Sequence, residues 1–361
     1  MSHSTWMIYG ATGTTGTLIA EEAVRRGHQP VLAGRSAASL AALGKRLGLP
    51  WKAVSLDQPD QLQRAVSEVD AVLNAAGPFI ATAPPLAQAC LAAGTHYLDI
   101  AGEIPVLQHL FARDQAARER NISLIGGVGF GVVASNSLVK YVADQLPGAT
   151  MLELAVRADN GQASQGATKS RLEVLATGGR VYRDGRLVPY RLGKGLKALR
   201  FPDGTFDILP VPSGDLEAAY RATGIPNITV FVPFRRSAAL LLPLLQFGLA
   251  LRPIRERLGA ATDRRGTRQP ESQADGQRTS YVWARATNQS GQSVEAWLEL
   301  GEGYQFTAAS SVQAVEHVLR ERPSGALTPA QAFGADFVLT IEGVRRSTAA
   351  PLAHPVEENR Q

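Results

Sequence analysis

Seven residues near the start of the chain have the composition of a phosphate-binding loop. Glycines recur every third residue in the segment Gly10-Ala11-Thr12-Gly13-Thr14-Thr15-Gly16. Such glycines let a turn tighten, let the backbone approach a pyrophosphate and let a helix pack on a strand, while N–H groups and the helix dipole face the anion. The spacing differs from the G-x-G-x-x-G of most NAD enzymes, so a purely structural turn is the alternative. The loop stands between a short apolar strand and a helix, which favours dinucleotide binding by Gly10, Thr12, Gly13, Thr14, Thr15 and Gly16.

A second group of residues predicts which dinucleotide binds. An acid about 20 residues beyond the glycines would bind the ribose hydroxyl of NAD, but Gly34-Arg35-Ser36 occupies this place. The Arg35 guanidinium suits a 2′-phosphate, which no neighbouring acid would repel, so NADP(H) is favoured over NAD. The alternative is that Arg35 only begins a solvated helix. Asp57 accepts a hydrogen bond from the adenine amine or caps the next helix, and both roles stay open.

Two further places could touch the reacting end of a dinucleotide. Small residues after the fourth strand, Asn74, Ala75, Ala76 and Gly77, leave room for the nicotinamide half against the backbone, with a plain turn as the alternative. Asp99 and Glu103 follow the fifth strand, at the carboxyl edge where open α/β sheets bind ligands, and either could donate a proton. The alternative is that Asp99 caps the following helix and Glu103 sits in its first turn.

These residues need a parallel sheet to bring them to one edge. Short apolar runs alternate with helical patterns six times before residue 126, which is typical of a Rossmann-type doubly wound α/β sheet. The predicted strands are Thr5–Tyr9, Gln29–Ala33, Trp51–Ser55, Ala71–Asn74, His96–Leu98 and Ile122–Ile125. The predicted helices are Thr14–Arg26, Ala37–Leu47, Asp60–Val66, Pro84–Ala93 and Ile104–Arg120.

The rhythm changes after Gly126, which predicts a second α+β domain with a mixed sheet. We expect an NADP-binding domain over 1–126, a substrate and dimerisation domain over 127–346 whose C-terminal helix could return to the first domain, and a disordered tail over 347–361. Residues 262–279 are nearly devoid of apolar side chains and predict a mobile loop. A helix is expected at Ser311–Arg320, and Thr328-Pro329 predicts the start of another. Gly185, Pro189, Gly193 and Gly195 favour a hairpin, so Tyr190 and Lys194 are not expected to form a dehydrogenase dyad on one helix face.

The sequence resembles the saccharopine dehydrogenase-like oxidoreductases, and within them the trans-acting enoyl reductase branch. The resemblance rests on the glycine loop and on the segments 34–36, 74–79, 97–103, 126–130, 303–304 and 325–330. It implies a Rossmann NADP-binding domain, a second domain with a mixed sheet, and reduction of an imine-type bond, or of a C=C bond in lipid-like substrates. We therefore expect an NADP-dependent oxidoreductase that transfers a hydride to a C=C, C=N or C=O bond.

One segment departs from the family. Members usually continue from Gly-Phe into Asp-Ser-x-Pro and a further acid, whereas this chain reads Gly129-Phe130-Gly131-Val132-Val133-Ala134-Ser135-Asn136. Both acids and the proline are lost, so an NADP-binding sensor or scaffold without catalysis is the alternative to an enzyme.

Composition excludes several other classes. The chain has 361 residues, 45% of them hydrophobic, which supports a sizeable core and excludes disordered and disulfide-scaffold proteins. Lys and Arg number 37 against 32 Asp and Glu, and this excess of +5 is spread without the basic stripe of a nucleic-acid-binding protein. One cysteine, Cys90, and six scattered histidines predict a reducing cytoplasmic setting without a metal. Residues 238–251 are apolar and flanked by arginines, so they could lie on a membrane surface, in the core or in a homodimer contact.

Overall fold

The computed structural model describes residues 4–158, 178–234, 236 and 279–348. Residues 238–251 and nearly all of 262–279 lie outside this part of the chain, as does the predicted tail from 349 onward. Within the described residues, no helix has the length and apolar character needed to cross a membrane.

A seven-stranded sheet forms the first layer and confirms the predicted doubly wound fold. Its order is β15-β6-β5-β4-β1-β2-β3, and every neighbouring pair is parallel. Its central strands are buried on both faces because helices cover both sides. The strands are β1 (Trp6–Tyr9), β2 (Val31–Gly34), β3 (Trp51–Ala53), β4 (Ala71–Asn74), β5 (His96–Asp99), β6 (Ser123–Ile125) and β15 (Gly325–Leu327).

Six helices connect these strands, close to the predicted positions. They are α1 (Thr14–Arg25), α2 (Ala37–Leu47), α3 (Pro59–Ser67), α4 (Phe79–Ala93), α5 (Ile104–Phe111) and α6 (Asp114–Glu119). Two predictions were wrong in detail. The helix expected over 104–120 is broken, because the Arg113 guanidinium bonds the His109 carbonyl at 2.8 Å and the Arg113 amide bonds the Leu110 carbonyl instead. Helix α4 begins at Phe79 rather than Pro84. Pro84 and Pro85 have no N–H group to donate to the carbonyls of Ile80 and Ala81, but both of these residues are exposed, so the helix tolerates the two missing hydrogen bonds.

The second sheet has nine strands and is mixed, as predicted. Its path is β10-β11-β12-β7-β13-β14-β16; β8 pairs with β12, and β9 pairs with β8. Among the strands of the described residues, the β12–β7 pair alone is parallel. The strands are β7 (Ala149–Arg157), β8 (Gly179–Arg183), β9 (Arg186–Tyr190), β10 (Lys197–Phe201), β11 (Gly204–Pro210), β12 (Asn227–Pro233), β13 (Ser280–Asn288), β14 (Ser293–Leu300) and β16 (Arg345–Ser347). Tyr190 ends a strand of the β8–β9 hairpin, so Tyr190 and Lys194 share no helix, as expected.

Four more helices join the two sheets. They are α7 (Phe130–Gln145), α8 (Asp215–Thr223), α9 (Gly303–Glu321) and α10 (Pro329–Phe333), and Phe337–Thr340 form one 3-10 turn. Thr328 caps α10 in a reciprocal pair with Gln331, which confirms the predicted start. One cluster of buried apolar side chains runs from β1 through α7 and α9 to β13 and β14. The two sheets therefore share a continuous core.

Near its end the chain returns to the first sheet. Strand β15 pairs with β6, and Glu316 of α9 binds Arg26 at 2.6 Å and His28 at 2.8 Å beside α1. The expected helix over 311–320 is the second half of α9, but the returning strand was not predicted. The boundaries at residues 126 and 346 stay predictions, because residues beyond 300 contribute to both sheets.

Candidate nucleotide-binding and catalytic site

Two of the three loop glycines are required by the packing of the protein itself. Gly10 has a positive φ of 84°, and a Cβ there would lie 2.7 Å from the Ala76 nitrogen. A Cβ on Gly16 would lie 2.2 Å from the Gly10 carbonyl oxygen. The loop is also anchored to β2, because the amides of Gly10 and Ala11 both donate to the Ala33 carbonyl. Gly10 and Gly16 therefore shape the loop, whatever it binds.

Gly13 differs from these two glycines. A Cβ on Gly13 would meet only the Gly10 oxygen, at 3.4 Å, and the residue is exposed. Gly13 is also the N-cap of α1, and no side chain caps this helix. The first N–H groups of a helix lack intrahelical partners and attract anions. With Thr12 exposed and Thr14 and Thr15 half-buried beside it, this end of α1 fits a pyrophosphate.

Arg35 and Ser36 follow β2, beside the glycine loop. Arg35 is exposed and forms no ion pair with any described residue. It lies within electrostatic reach of Tyr9: burial raises the pKa of the Tyr9 phenol, Arg35 lowers it, and Asp57 raises it. Ser36 caps α2, accepting a hydrogen bond from the Ser39 amide at 3.3 Å. Arg35 is thus available to a phosphate, while the Ser36 hydroxyl already serves a helix.

Asp57 lies on the same side of the sheet as Arg35, beyond β3. Its carboxylate accepts a hydrogen bond from the Ser55 hydroxyl at 3.3 Å, and the residue is exposed. The N-cap of α3 is Gln58, and no side chain makes a cap bond there. The alternative that Asp57 caps this helix is therefore wrong, and contact with an adenine amine stays a prediction.

The loop after β4 lies against the glycine loop. The Ala75 amide donates to the Tyr9 carbonyl at 2.8 Å, and Ala76 touches Gly10 as described. Gly77 is exposed, whereas Asn74 is fully buried. The buried side chain of Asn74 therefore supports the loop and is not exposed to a ligand, and contact of Ala75, Ala76 and Gly77 with a dinucleotide stays a prediction.

Asp99 and Glu103 are both buried at the carboxyl end of β5. Asp99 has no exposed surface; its carboxylate accepts hydrogen bonds from the Ala101 amide at 2.9 Å, the Gly127 amide at 3.0 Å and the Tyr97 hydroxyl at 2.9 Å. Burial raises the pKa of Asp99 to about 6, although these three donors lower it. Glu103 is 5% exposed and accepts from the Gly102 amide at 2.9 Å.

The alternative that Asp99 caps α5 and that Glu103 lies in its first turn is wrong. Glu103 is itself the N-cap residue of α5, no side chain makes a cap bond, and the first turn of that helix holds no acid. A proton-donor role for Asp99 or Glu103 stays a prediction. The burial of Asp99 means that it would reach a substrate only through another group or after the loops move.

Residues 129–136, which depart from the family pattern, form the start of α7 and contact neighbouring helices. Gly131 is exposed, and a Cβ there would meet nothing within 4 Å. The Ser135 hydroxyl donates to buried Asp215 of α8. Asn136 donates to the Ala218 carbonyl at 3.0 Å and accepts from the Ala330 amide at 2.8 Å. Ser135 and Asn136 therefore have structural partners, whereas Gly131 leaves open space at the N-terminus of α7.

Three residues that support this site were not predicted as such. Thr82 and Tyr97 bond Asn74 at 3.2 and 3.1 Å, and the Thr307 hydroxyl of α9 accepts from the Phe130 amide at 3.1 Å. Thr82 is a lone hydroxyl in an otherwise apolar run, which was a usable signal. No comparable sequence signal marks Thr307, because 177 residues separate it from Phe130. No group of three His, Cys, Asp or Glu residues in the described ranges could hold a metal ion.

Comparison with known proteins agrees with this geometry. Residues 6–124 match the family model of the saccharopine dehydrogenase NADP binding domain. A Mycobacterium tuberculosis protein assigned as a trans-acting enoyl reductase is 35% identical over 190 residues, which cover 47% of this chain and 44% of that protein. A saccharopine dehydrogenase-like oxidoreductase from Bos taurus is 28% identical over 162 residues, which cover 39% of this chain and 38% of the relative. The matches thus span less than half the length of these relatives.

The fold also resembles a solved structure along nearly its whole length. Apo saccharopine dehydrogenase (L-Glu forming) from Saccharomyces cerevisiae aligns with a TM-score of 0.62 and 14% identity, covering 96% of this chain and 100% of that one. At this identity the likeness shows the fold alone. The match of residues 6–124 to the saccharopine dehydrogenase NADP binding domain, together with the named relatives, confirms the predicted resemblance.

Proposed function

We propose that this chain is an NADPH-dependent oxidoreductase that reduces a C=C, C=N or C=O bond of a small or lipid-like molecule. The observation that carries the proposal is the uncapped N-terminus of α1 at Gly13, with the exposed Arg35 nearby, which forms no ion pair with the described residues. When bound, NADPH supplies the hydride. The names of the relatives, enoyl reductase and saccharopine dehydrogenase-like oxidoreductase, support the reaction class.

Two groups of residues in this protein would bind the two halves of the cofactor. The N–H groups at the start of α1 hold the pyrophosphate, and Arg35 forms charge-assisted hydrogen bonds with the 2′-phosphate. The backbone of residues 75–77 then borders the nicotinamide half, near the loops that follow β5 and β6. Asp99 and Glu103 lie on that side, and we propose Glu103 as the acid nearer to a substrate because a small part of it is exposed.

Cofactor preference tests the first half of the proposal. Wild type should bind NADPH at least about tenfold more tightly than NADH, because one charge-assisted bidentate contact contributes roughly 1.5–3 kcal/mol. Arg35→Ala should remove this preference by weakening NADPH alone. Arg64→Ala is the matched control, since Arg64 is an exposed arginine on α3 in the same domain. Equal affinities of wild type for the two cofactors, measured by calorimetry, would refute the role of Arg35.

Turnover tests the proposed reductase activity. Oxidation of NADPH should be followed with an enoyl thioester, a ketone, and a keto acid mixed with an amine as acceptors. Turnover with one of them supports a reductase, whereas tight NADPH binding without turnover across all three supports the sensor alternative. A homodimer and a membrane contact through residues 238–251 are further proposals, testable by sedimentation and by liposome flotation.

A further inference from the structure

Four side chains form a hydrogen-bonded chain beneath the loop that borders the nicotinamide half. Asn74 Nδ2 lies 3.2 Å from Thr82 Oγ1 and 3.1 Å from Tyr97 Oη, and Tyr97 Oη lies 2.9 Å from Asp99 Oδ2. Asn74, Tyr97 and Asp99 have no exposed surface. Buried polar groups cost free energy unless they are paired, so this chain holds its members in one arrangement.

The direction of the hydrogen bonds follows from the chemistry of the end groups. The Ala76 amide meets one terminal atom of Asn74 at 3.0 Å, and because an amide N–H donates, this atom is the oxygen. The Asn74 nitrogen therefore points to Thr82 and Tyr97 and donates to both. Since the Tyr97 oxygen accepts from Asn74, its own hydrogen is directed to the Asp99 carboxylate.

At one end of this series of hydrogen bonds, the side chains of Asn74 and Thr82 bond both backbone polar groups of Ala76. Its amide donates to Asn74 Oδ1 at 3.0 Å, and its carbonyl accepts from the Thr82 hydroxyl at 2.5 Å. Ala76 is also the residue that packs against Gly10 of the glycine loop. The position of the peptide that faces the dinucleotide is therefore set by buried side chains.

At the other end of the series, Asp99 bonds the loop that follows β6. Asp99 Oδ1 accepts from the amides of Ala101 and Gly127, at 2.9 and 3.0 Å, and the Asp99 carbonyl accepts from the Val128 amide at 2.7 Å. Residues 126–128 lead directly into α7, which packs on the second sheet. One continuous series of hydrogen bonds thus links the loop after β4 to the entrance of the second sheet.

We propose that Tyr97 is a positioning residue that couples the nicotinamide side of the NADPH site to the 126–128 loop. Asn74 and Asp99 are register partners on β4 and β5, and among the described residues the Tyr97 hydroxyl is the side-chain atom that bonds both of their side chains. Its removal should therefore uncouple the Asn74 side chain, which holds Ala76, from the Asp99 carboxylate. The proposal rests on NADPH binding as the proposed function. It concerns the nicotinamide half alone, because Arg35 and the end of α1 are not part of the hydrogen-bonded chain.

Two ligands separate positioning from general damage. Tyr97→Phe should bind NADPH about tenfold more weakly than wild type, since the hydroxyl's loss leaves Asn74 and Asp99 each short of a partner. Adenosine 2′,5′-bisphosphate, which lacks nicotinamide, should bind both proteins within twofold. In hydrogen exchange, NADPH should protect the 126–128 amides of wild type and not those of Tyr97→Phe.

Tyr182→Phe is the matched control, because Tyr182 is a buried tyrosine that bonds the Glu217 carboxyl outside the cofactor domain. Its affinity for NADPH should equal that of wild type. Should Tyr97→Phe fail to fold, Thr82→Val tests the same chain from a half-buried position and should show the same split between ligands.

The possible outcomes separate the two proposals. Wild type without NADPH affinity would overturn the proposed function and the coupling together. Where wild type binds, unchanged NADPH affinity in the variant, or equal weakening of both ligands, would overturn the coupling alone. Absence of NADPH-dependent protection at 126–128 in wild type would do the same.

Discussion

Two glycine-rich loops of this protein look alike in sequence and differ in what surrounds them. Residues 10–13 connect β1 to α1, and residues 126–129 connect β6 to α7, so each loop leads from a strand of the parallel sheet into a helix. In the first loop, a Cβ on the exposed Gly13 would meet, among the described residues, the Gly10 oxygen at 3.4 Å, and no side chain caps the helix. In the second loop, a Cβ on Gly126 or Gly127 would lie within 3 Å of a side chain, and one on Gly129 within 3.2 Å.

The amides at the start of the two helices differ as well. In the first loop the amides of Gly10, Ala11 and Gly13 bond backbone carbonyls, and the first N–H groups of α1 lack intrahelical partners. In the second loop, the amides of Gly127, Val128 and Phe130 donate to the Asp99 side chain, the Asp99 carbonyl and the Thr307 hydroxyl. In the second loop, groups of the protein itself thus occupy the amides that lead into the helix. Glycine content therefore does not by itself distinguish the two loops; the partners of the amides that enter the helix and the space around the glycine do.

The largest effect is expected where the second loop is most crowded. Gly127 has a φ of 78°, and its Cβ would lie 2.6–2.9 Å from three atoms of Val132. Gly127→Ala combines left-handed backbone strain with overpacking and should cost about 2–5 kcal/mol of unfolding free energy. Chemical denaturation measures this loss. A variant as stable as wild type would show that the loop can rearrange and that the contrast with Gly13 is overstated.

In the first loop the same kind of change should act on the ligand and not on the fold. Gly13→Val should weaken NADPH binding by at least about 100-fold, because the side chain fills the space through which the backbone approaches the pyrophosphate. Its melting temperature should stay near that of wild type, since only the Gly10 oxygen lies within 4 Å of the new Cβ. Retained affinity in calorimetry would refute the assignment of this loop.

The sequence predicted the parts of this molecule that follow local rules. The glycine loop, the parallel strands and the Thr328 cap depend on residues close together in the chain, and all lie where expected or within a few residues. The supports of the second loop come from elsewhere: Thr307 is 177 residues from its partner Phe130. Neither propensity nor spacing encodes such a pair, so β15, the packing of α9 and the burial of Asp99 required the folded structure.

Protonation of Asp99 should alter the second loop with pH. Burial raises the pKa of Asp99 to about 6, above its unfolded value near 3.9. The protonated form is therefore favoured in the folded state, and its contribution to stability is full below the unfolded pKa and lost as pH rises through about 6. Between pH 4 and pH 7 wild type should lose about 1–3 kcal/mol relative to Asp99→Asn, which cannot titrate. If the unfolding free energies of the two proteins changed with pH in the same way, the pH dependence would not come from Asp99.

The smallest effect separates Gly131 from the glycines that precede it. Gly131 lies in the first turn of α7, is exposed, and would give a Cβ no neighbour within 4 Å. Gly131→Ala should therefore raise the unfolding free energy by about 0.5–1 kcal/mol, because alanine loses less backbone entropy in a helix than glycine. The open space around Gly131 argues against a disturbance of the contact between the two sheets by this substitution. Equal destabilisation by Gly131→Ala and Gly127→Ala would mean that crowding does not distinguish these glycines.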